Sequence, residues 1–505
     1  MNLVVTRKIY QELSKDYSAI ETPTWSLLLA ESCRSVGYNV AILDTCAERL
    51  TDKQSVERIK EANPRLICFV VYGQNVNAGT TSMEGAINIS NFLKKHSSRL
   101  ISYVGSHVQA LPLETLKNEK SIDFVFTNEG VYALWNILKL SNISIENLEN
   151  IKGIAYRNLN NKIIFNKPEI VVPNDKMDEH LPGYAWELLP FKKKPFDLYR
   201  SPMWHAEYLE ENRTPYAAIQ TSIGCQFKCS FCMINIINRN DNKEVGVANT
   251  YSNMRYWSPK FIIKEFDKLI SYGVKTIKIT DEMFLLNPKY YKPLCEMLAE
   301  RNKDDKLMMW AYSRVDTVKR QEILKLVRKA GIKWLALGIE SGDKNVRLEV
   351  SKGKFEDVDV NKVIEQVHNS DIQVMGNYIF GLPGDTKETM QKTLDLSIQL
   401  NTMGWNGYAA TALPGSELYK IALDKGVKLP ETYGAYSFHS YNALPLSNEN
   451  LTAAEILRFR DEAFLKYHTN KKFLNKAFKK FGKKSIDNIK HMTSIKLKRE
   501  ILEKN

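Results

Sequence analysis

The chain has 505 residues, of which 44% are hydrophobic, and a formal net charge of +13. Because a single hydrophobic core stops growing at about 250–300 residues, this length excludes a one-domain protein and predicts two or three domains. Seven cysteines, no secretory signal stretch at the start and no apolar run near the roughly 18 residues of a membrane span predict a cytoplasmic protein without a membrane helix.

Residues 1–145 alternate short apolar strands with helical segments. This alternation predicts a doubly wound, Rossmann-like parallel sheet, which binds ligands at the carboxyl ends of its strands. Neither phosphate-binding glycine motif, G-x-x-x-x-G-K or G-x-G-x-x-G, is present, so a nucleotide site has little support. The predicted strands are Asn2–Thr6, Tyr38–Leu43, Leu66–Val71, Leu100–Val104 and Asp123–Thr127.

The loops after these strands hold the candidate binding residues of the first domain. Their glycines would let a flat ligand approach the backbone closely. The candidates are Gly73, Gln74, Asn75, Gly105, Ser106, His107, Glu129 and Gly130.

Residues 146–214 have little periodicity. Ile151–Asn158 and Lys162–Phe165 flank an Asn-Asn pair and predict a hairpin. The rest is rich in Pro, Trp and Tyr and is interpreted as a linker that packs on both neighbouring domains.

Residues 215–430 return to strand–helix alternation. Six successive units predict a partial (β/α)6 barrel of the TIM type, with its ligand site at the carboxyl ends of the strands. The predicted strands are Tyr216–Thr221, Thr276–Thr280, Leu307–Tyr312, Lys333–Ile339, Gln373–Phe380 and Trp405–Thr411.

A cysteine run, C-x3-C-x2-C, follows the first of these strands. Cys225, Cys229 and Cys232 are too few for a structural zinc site, which takes four ligands, and no second cysteine or histidine pair completes one. Four-iron clusters are held by cysteine thiolates, and three of them leave one iron open to bind and activate another molecule. The run therefore predicts an iron–sulfur cluster at the ligand end of the barrel.

Polar side chains occupy most of the other strand ends of this barrel. A purely structural barrel would close that end with apolar residues, so the pattern predicts a bound ligand. The residues are Asp281, Glu282, Arg314, Glu340, Ser341 and Asn377.

The last segment, 431–505, carries most of the excess charge. From Leu465 to the end there are 13 Lys and Arg residues against 3 acidic ones. Phe, Leu and Ile recur among the lysines at helical spacing, which predicts an amphipathic helical cap with a solvated basic face. The alternative is a surface that attracts an anionic substrate or a membrane surface.

Residues 215–430 resemble the radical S-adenosylmethionine (SAM) superfamily. The similarity rests on the cysteine run with Phe231 before its last thiol, on Gly338-Ile339-Glu340-Ser341-Gly342 and on Gly381-Leu382-Pro383-Gly384. Gly105-Ser106-His107 and Asn128-Glu129-Gly130 resemble the branch with an N-terminal cobalamin (B12)-binding domain. Nearly the whole chain is covered by this resemblance.

The resemblance implies a mechanism and a role for each residue. The three cysteines would hold a [4Fe–4S] cluster whose open iron binds SAM, and reductive cleavage of SAM would release a 5′-deoxyadenosyl radical. Glu282, with Asp281, would accept from the SAM amino group, Arg314 would pair with the SAM carboxylate or with the substrate, and Phe231 would pack near adenine. Glu340 and Ser341 would bind ribose hydroxyls, and Asn377 would also contact cofactor.

The first domain departs from one known cobalamin pattern. The motif D-x-H-x-x-G supplies a histidine below cobalt, whereas Asp44-Thr45-Cys46-Ala47-Glu48-Arg49 contains none. His107 is interpreted as a loop or corrin-edge contact. A domain that binds no cobalamin remains an alternative.

Three functions are therefore weighed. The first is cobalamin-dependent methylation of an unactivated carbon in a small metabolite, lipid or glycan precursor, with flavodoxin or ferredoxin as electron donor. The second is a radical rearrangement, oxidation or cyclisation without methyl transfer. The third is RNA modification or nucleic-acid binding through the basic tail, which lacks a recognisable RNA-binding module.

Overall fold

The computed structural model describes residues 2–5, 17–72, 76–318, 321–351 and 358–503. The first sheet has seven strands in the order β2-β1-β3-β4-β5-β6-β7. Its first five strands are parallel, as predicted, and the predicted hairpin adds two antiparallel strands at one edge. The strands are β1 (Asn2–Val5), β2 (Ala41–Asp44), β3 (Ile67–Val71), β4 (Ile101–Gly105), β5 (Phe124–Phe126), β6 (Ile154–Arg157) and β7 (Ile163–Phe165).

Strand β3, the middle one of the five parallel strands, is buried on both faces, which explains its continuous apolar sequence. Ile67, Phe69 and Val71 pack into one hydrophobic cluster, and Cys68 and Val70 pack into another on the opposite face. Helices cover both faces of the sheet. They are α1 (Thr24–Ser35), α2 (Asp52–Ala62), α3 (Gly79–Lys94), α4 (Ser106–Ala110), α5 (Pro112–Asn118) and α6 (Val131–Leu138).

The linker packs on both domains. The Tyr199 hydroxyl donates to the Asp44 carboxylate at 3.0 Å, at the end of β2. The Trp186 indole N–H donates to Glu265 of the barrel domain at 2.9 Å. The linker also contains a short helix, α7 (Met177–His180).

The second sheet is a partial barrel of six parallel strands. All six predicted strands are present, and their order is β15-β14-β13-β12-β11-β8. An additional antiparallel pair, β9 with β10, carries the first cysteine and was not predicted. The strands are β8 (Tyr216–Ile219), β9 (Ser222–Cys225), β10 (Asn253–Tyr256), β11 (Thr276–Ile279), β12 (Met308–Arg314), β13 (Ile332–Glu340), β14 (Gln373–Phe380) and β15 (Gly404–Ala409).

Helices follow the barrel strands, most of them with a side chain capping the first turn. They are α8 (Pro259–Ser271), α9 (Pro288–Arg301), α10 (Gln321–Lys329), α11 (Lys344–Val350), α12 (Val360–Asn369), α13 (Lys387–Leu400) and α14 (Glu417–Asp424).

The edge strand β8 is covered by the segment that leads into α1. The Thr22 hydroxyl donates to the carbonyl of Ala218 at 2.8 Å and accepts from the Ala218 N–H at 2.8 Å. A residue of the first domain thereby satisfies backbone groups at an open edge of the barrel.

The C-terminal segment is helical, as predicted. It contains α15 (Ala453–His468), α16 (Lys471–Ser494) and α17 (Glu500–Glu503), and α16 is kinked at Gly482, where φ is 72°. The first half of α16 lies against the amino end of the barrel, where Lys476 donates to the carbonyl of Asn401 at 2.7 Å just before β15. In the described part of the chain, no helix has the length and apolarity that a bilayer crossing requires.

The Asp44 carboxylate predicts a pH dependence of stability. Burial raises the pKa of Asp44 to about 6, opposed by hydrogen bonds from Ala47, Tyr199 and Cys46. A carboxyl pKa that is higher in the folded state makes that state bind the proton more tightly. The free energy of unfolding should therefore fall as pH rises from about 4 to 6. Asp44→Asn, which can keep the acceptor for both backbone N–H groups, should flatten this slope in denaturant titrations at several pH values; an unchanged slope would contradict the assignment.

Candidate functional site

The three predicted cysteines line one cavity of about 680 Å³ at the carboxyl end of the barrel. Cys225 ends β9, and its N–H donates to the side chain of Asn235 at 2.8 Å. The N–H of Phe227 donates to the Cys225 sulfur at 3.4 Å. Gly224 has φ 87°, and a Cβ there would collide with the carbonyl of Asn253, so this turn before the first thiol requires glycine.

Burial sets the protonation of the thiols. It raises the pKa of Cys225 to about 12 and that of Cys229 to about 11, and it raises the pKa of Cys232 well above its usual range. Metal binding must therefore displace protons from these thiols. Within the described ranges, no group of three His, Cys, Asp or Glu side chains has an arrangement that could hold a single metal ion. In a cube each thiolate binds a different iron, so the donor set of three spaced, cavity-facing thiols fits a cluster.

Asp281 supports the start of the cysteine loop. Its carboxylate is 0% exposed and accepts from the Thr221 N–H at 2.5 Å, the Thr221 hydroxyl at 2.7 Å and the Ser222 hydroxyl at 2.5 Å. Because these bonds direct the carboxylate into the protein beneath the loop, the expected contact with SAM is replaced by a structural role.

Glu282 lies on the cavity wall beside a cation that sequence reasoning missed. Burial raises the pKa of Glu282 to about 7, and the Lys278 ammonium opposes this rise. Lys278 lies 3.0 Å from both carboxylate oxygens of Glu21, and its ammonium is 4.9 Å from the centre of the Trp310 ring. A lysine inside an apolar strand is a signal that could have predicted such a buried pair.

Glu340 reaches the cavity because β13 is irregular. The pairing of β13 with β14 shifts between Gly338 and Glu340, and Glu340 has φ 65°, an uncommon conformation outside glycine. The Glu340 carboxylate occupies the space that a Cβ at Gly338 would fill. Burial raises the pKa of Glu340 to about 7, opposed by Arg314 and Arg347.

Ser341, by contrast, is fully buried behind this bulge. Its hydroxyl lies 3.2 Å from that of Thr393 and accepts from the Asp343 N–H at 3.1 Å. The expected ribose contact is therefore corrected to a role in holding the loop after β13.

The remaining barrel candidates face the cavity. Arg314 donates to both oxygens of Asp316 at 2.6 Å, and its guanidinium lies 3.7 Å from the centre of the Phe227 ring. Asn377 accepts from Asn406 at 3.0 Å, so two amides form one polar spot on the wall. Phe231 also lines the cavity and packs on a hydrophobic cluster that contains α11 residues.

The candidates of the first domain have a different outcome. Gly73, Gln74 and Asn75 lie outside the described residues. Gly105 of β4 lies close to the Val71 carbonyl of β3, and a Cβ at Gly105 would collide with it. The close packing of these two strands therefore explains the glycine without a ligand. Ser106 is fully buried. Gly130 begins α6 with φ 85° and is buried.

His107 and Glu129 are also engaged inside the protein. The His107 ring lies 3.2 Å from the Thr80 hydroxyl, packs edge-on against Tyr433 at 5.1 Å, and has a pKa lowered to about 4 by burial. Glu129 accepts from Arg255 of β10 at 2.6 Å, with both side chains 1% exposed. His107 thus makes a packing contact in its loop, which is one of its two interpretations, and Glu129 forms an ion pair between the domains. Neither residue lines the cavity.

Other residues of the first domain do line the cavity. Asn77, Ala78 and Thr81 face it just after residues 73–75, at the carboxyl edge of β3. These small, uncharged side chains suit the face of a flat macrocycle. They lie beside the point where strand order reverses around β1, the place where ligands bind in such sheets.

Comparison with known proteins agrees with this two-domain site. Residues 219–397 match the radical SAM superfamily, and residues 16–138 match the B12 binding domain. The chain is a radical SAM protein with an N-terminal B12-binding domain. The predicted family and fold class are confirmed, and the two matched domains agree with the predicted cofactor set of a [4Fe–4S] cluster, SAM and cobalamin.

Relatives of this radical SAM protein cover most of its length. It is 24% identical to an uncharacterized methyltransferase of Pyrococcus horikoshii over 87% of this chain and 86% of the relative. It is 22% identical to the anaerobic magnesium-protoporphyrin IX monomethyl ester cyclase of Cereibacter sphaeroides, over 90% of this chain and 68% of that one. The fold matches the radical SAM methyltransferase TsrM of Kitasatospora setae, solved with cobalamin and a [4Fe–4S] cluster, with a TM-score of 0.62, 17% identity and coverage of 85% and 79%.

The C-terminal segment contributes more to the site of this radical SAM protein than its sequence predicted. Tyr436, His439, Arg460, Phe473 and Ile489 all line the cavity. The sequence predicts Tyr436 and His439 as pocket residues, and both line the cavity. Arg460, Phe473 and Ile489 are identified as cavity residues only by the packing of the segment onto the barrel.

Gly338→Ala should weaken binding of SAM. The new methyl group would displace the Glu340 carboxylate, and loss of one hydrogen bond to a charged group lowers affinity by about tenfold or more. Equilibrium dialysis of SAM with the reconstituted protein measures this. Ser341→Ala is the matched control and should leave SAM affinity unchanged; the reverse pattern would contradict the roles given to Glu340 and Ser341.

Proposed function

We propose that this protein is a cobalamin-dependent radical SAM methyltransferase that acts on an unactivated carbon of a small molecule. The observation that carries the proposal is the meeting of two cofactor domains at one cavity. The three cysteines, Glu282 and Glu340 face this cavity from the barrel. Asn77, Ala78 and Thr81 face it from the B12-binding domain.

Different side chains of the cavity would hold the cluster and bind SAM. Cys225, Cys229 and Cys232 would hold the cluster. When bound, the cluster and SAM supply radical chemistry and cobalamin supplies a methyl carrier. Glu282 and Glu340 offer the SAM amino group and ribose hydroxyls acceptors that carry no hydrogen bond within the described structure, at pKa values close to neutral pH.

Two further groups orient the ligands. Arg314 lies against Phe227 at the cysteine loop with Asp316 fixing its guanidinium plane, so it can pair with a carboxylate without losing its position. The amide pair of Asn377 and Asn406 offers a neutral polar contact deeper in the barrel. We infer that Arg314 binds SAM and that the amide pair of Asn377 and Asn406 binds substrate.

Two segments that line the cavity meet at the protein surface. Tyr17 contacts His491 at 2.6 Å, and this contact joins the segment before α1 to the second half of α16. We propose that this contact helps to keep solvent from the carbon radical, which solvent would quench. Reduction of the cluster requires an electron donor, for which flavodoxin or ferredoxin is the proposed class.

A second candidate is radical chemistry without methyl transfer. It is favoured by one observation, the similarity over 90% of the chain to a protein named as a cyclase. The two candidates need the same cluster and differ in their products.

The products of SAM distinguish the candidates. The protein is reconstituted anaerobically with iron, sulfide and cobalamin and incubated with SAM, a reductant and lipid extracts. We expect 5′-deoxyadenosine and S-adenosylhomocysteine together, in amounts that rise with the extract. Deoxyadenosine that rises with the extract without S-adenosylhomocysteine would favour the second candidate, and absence of both products would contradict radical SAM activity.

A further inference from the structure

The cavity extends well below the cluster, toward the amino end of the barrel. Met375, near the start of β14, and Met403 and Trp405, around the start of β15, line it there. Phe473, Ile489 and Met492 of α16 line the same end. These six residues define a lower compartment, separated along the strands from the Glu282 and Glu340 carboxylates at the carboxyl end.

The lower compartment is apolar. Its side chains are two aromatic rings, one isoleucine and three methionines, whose flexible thioethers adapt to irregular apolar shapes. The neighbouring His468 has its pKa lowered to about 4 by burial and is neutral at pH 7. The Trp405 indole N–H, which has no hydrogen-bond partner in the described structure, is the one polar donor among these six side chains. A sugar or phosphate placed here would lose its hydration for at most one hydrogen bond from them.

The nearest charges of the cavity wall are already engaged by the protein. Lys278 is paired with Glu21, and Arg460 donates to the carbonyl of Gly407 at 2.7 Å and to Asp461 at 3.0 Å. Most lysines of α16 lie on its outer face, among them the exposed residues Lys479, Lys480, Lys483 and Lys484, whereas Lys476 donates to the Asn401 carbonyl of the barrel. The helix therefore presents apolar residues to the cavity and charge to solvent.

We propose that the lower compartment binds the apolar body of the substrate, so that the substrate is a lipid-like molecule. Its reacting carbon lies toward the cluster and its apolar remainder extends toward α16, past the Asn377–Asn406 amides. This assignment rests on the proposed function, because it gives the space below the SAM site to the substrate. It disfavours glycan precursors, whose many hydroxyl groups would find few polar partners there, chiefly these two amides, Asn488 and the Trp405 N–H.

The test is equilibrium binding of the apolar fluorophore N-phenyl-1-naphthylamine to the full-length protein. Ile489→Asn places an amide in the compartment, and Met492→Trp keeps it apolar but fills it. Each should raise the Kd of the probe by about tenfold. Phe478→Asn changes a residue of the same helix that is 56% exposed and should leave the Kd unchanged. SAM should not displace the probe, because it binds at the other end of the cavity.

The outcomes separate the two proposals. Unchanged probe affinity in both compartment variants, or competitive displacement of the probe by SAM, would overturn the lower compartment as an apolar site. Circular dichroism and substrate-free SAM cleavage show whether each variant is folded. If Ile489→Asn does not fold, the probe affinity of Met492→Trp alone tests the lower compartment. Probe binding by a wild-type protein that cleaves no SAM would instead refute the proposed function, and with it the identity of the occupant as substrate.

Discussion

Replacing Cys229 with alanine is expected to abolish the iron–sulfur absorption of the reconstituted protein and its cleavage of SAM. Even loss of an outer partner of a metal ligand costs about 10–100-fold, so loss of one of three ligands should lower the cleavage rate by more than about 100-fold. The thiol is well suited to this test because it lines the cavity next to Arg314 and Glu340. Absorbance near the cluster bands and chromatography of 5′-deoxyadenosine measure the two effects.

Cys46→Ala provides the matched control, because Cys46 follows β2 in the first domain and lies outside the cysteine run. It should keep full iron content and full SAM cleavage. Equal losses in Cys46→Ala and Cys229→Ala would mean that iron binds at scattered thiols, and the cluster assignment would fail.

Breaking the ion pair between the domains should have the second large effect. Arg255 donates to Glu129 at 2.6 Å, to Asn238 at 2.9 Å and to the Val172 carbonyl at 2.8 Å. Arg255→Met would leave the Glu129 charge buried without its partner, at a cost of about 3–5 kcal/mol. The first transition in a calorimetric scan should therefore move to clearly lower temperature.

The double variant Arg255→Met, Glu129→Gln tests the electrostatic cause. The introduced glutamine would be neutral and could still accept from the Val172 N–H, as Glu129 does, so part of the lost stability should return. If the double variant is no more stable than Arg255→Met alone, packing rather than charge explains the loss.

Much of the architecture could be predicted because it depends on local periodicity. The two parallel sheets follow from apolar strands that alternate with helices, and the cysteines lie close together because they are close in sequence. Glu282 and Glu340 could be placed at the ligand end because each follows a strand of the barrel. These predictions need only the direction of each strand.

The errors have a common physical origin. Asp281 and Ser341 are polar residues at strand ends, like Glu282 and Glu340, but they bond to neighbouring loops instead of facing the cavity. A one-residue irregularity in β13 decides which of Glu340 and Ser341 points inward, and no pattern in the sequence predicts it. Lys278, Glu21 and the α16 residues are brought together across more than 200 positions of chain, and only tertiary packing identifies them.

The contact of Thr22 with β8 bears on how such a protein can evolve. Because a residue of the first domain supplies hydrogen bonds to an edge of the second, the two domains are not interchangeable modules. A B12-binding domain transferred from another lineage would leave the Ala218 backbone groups without partners unless it brought an equivalent hydroxyl at the same place. Recombination between relatives should therefore succeed only where the exchanged piece carries the segment around Thr22 together with the barrel that it completes.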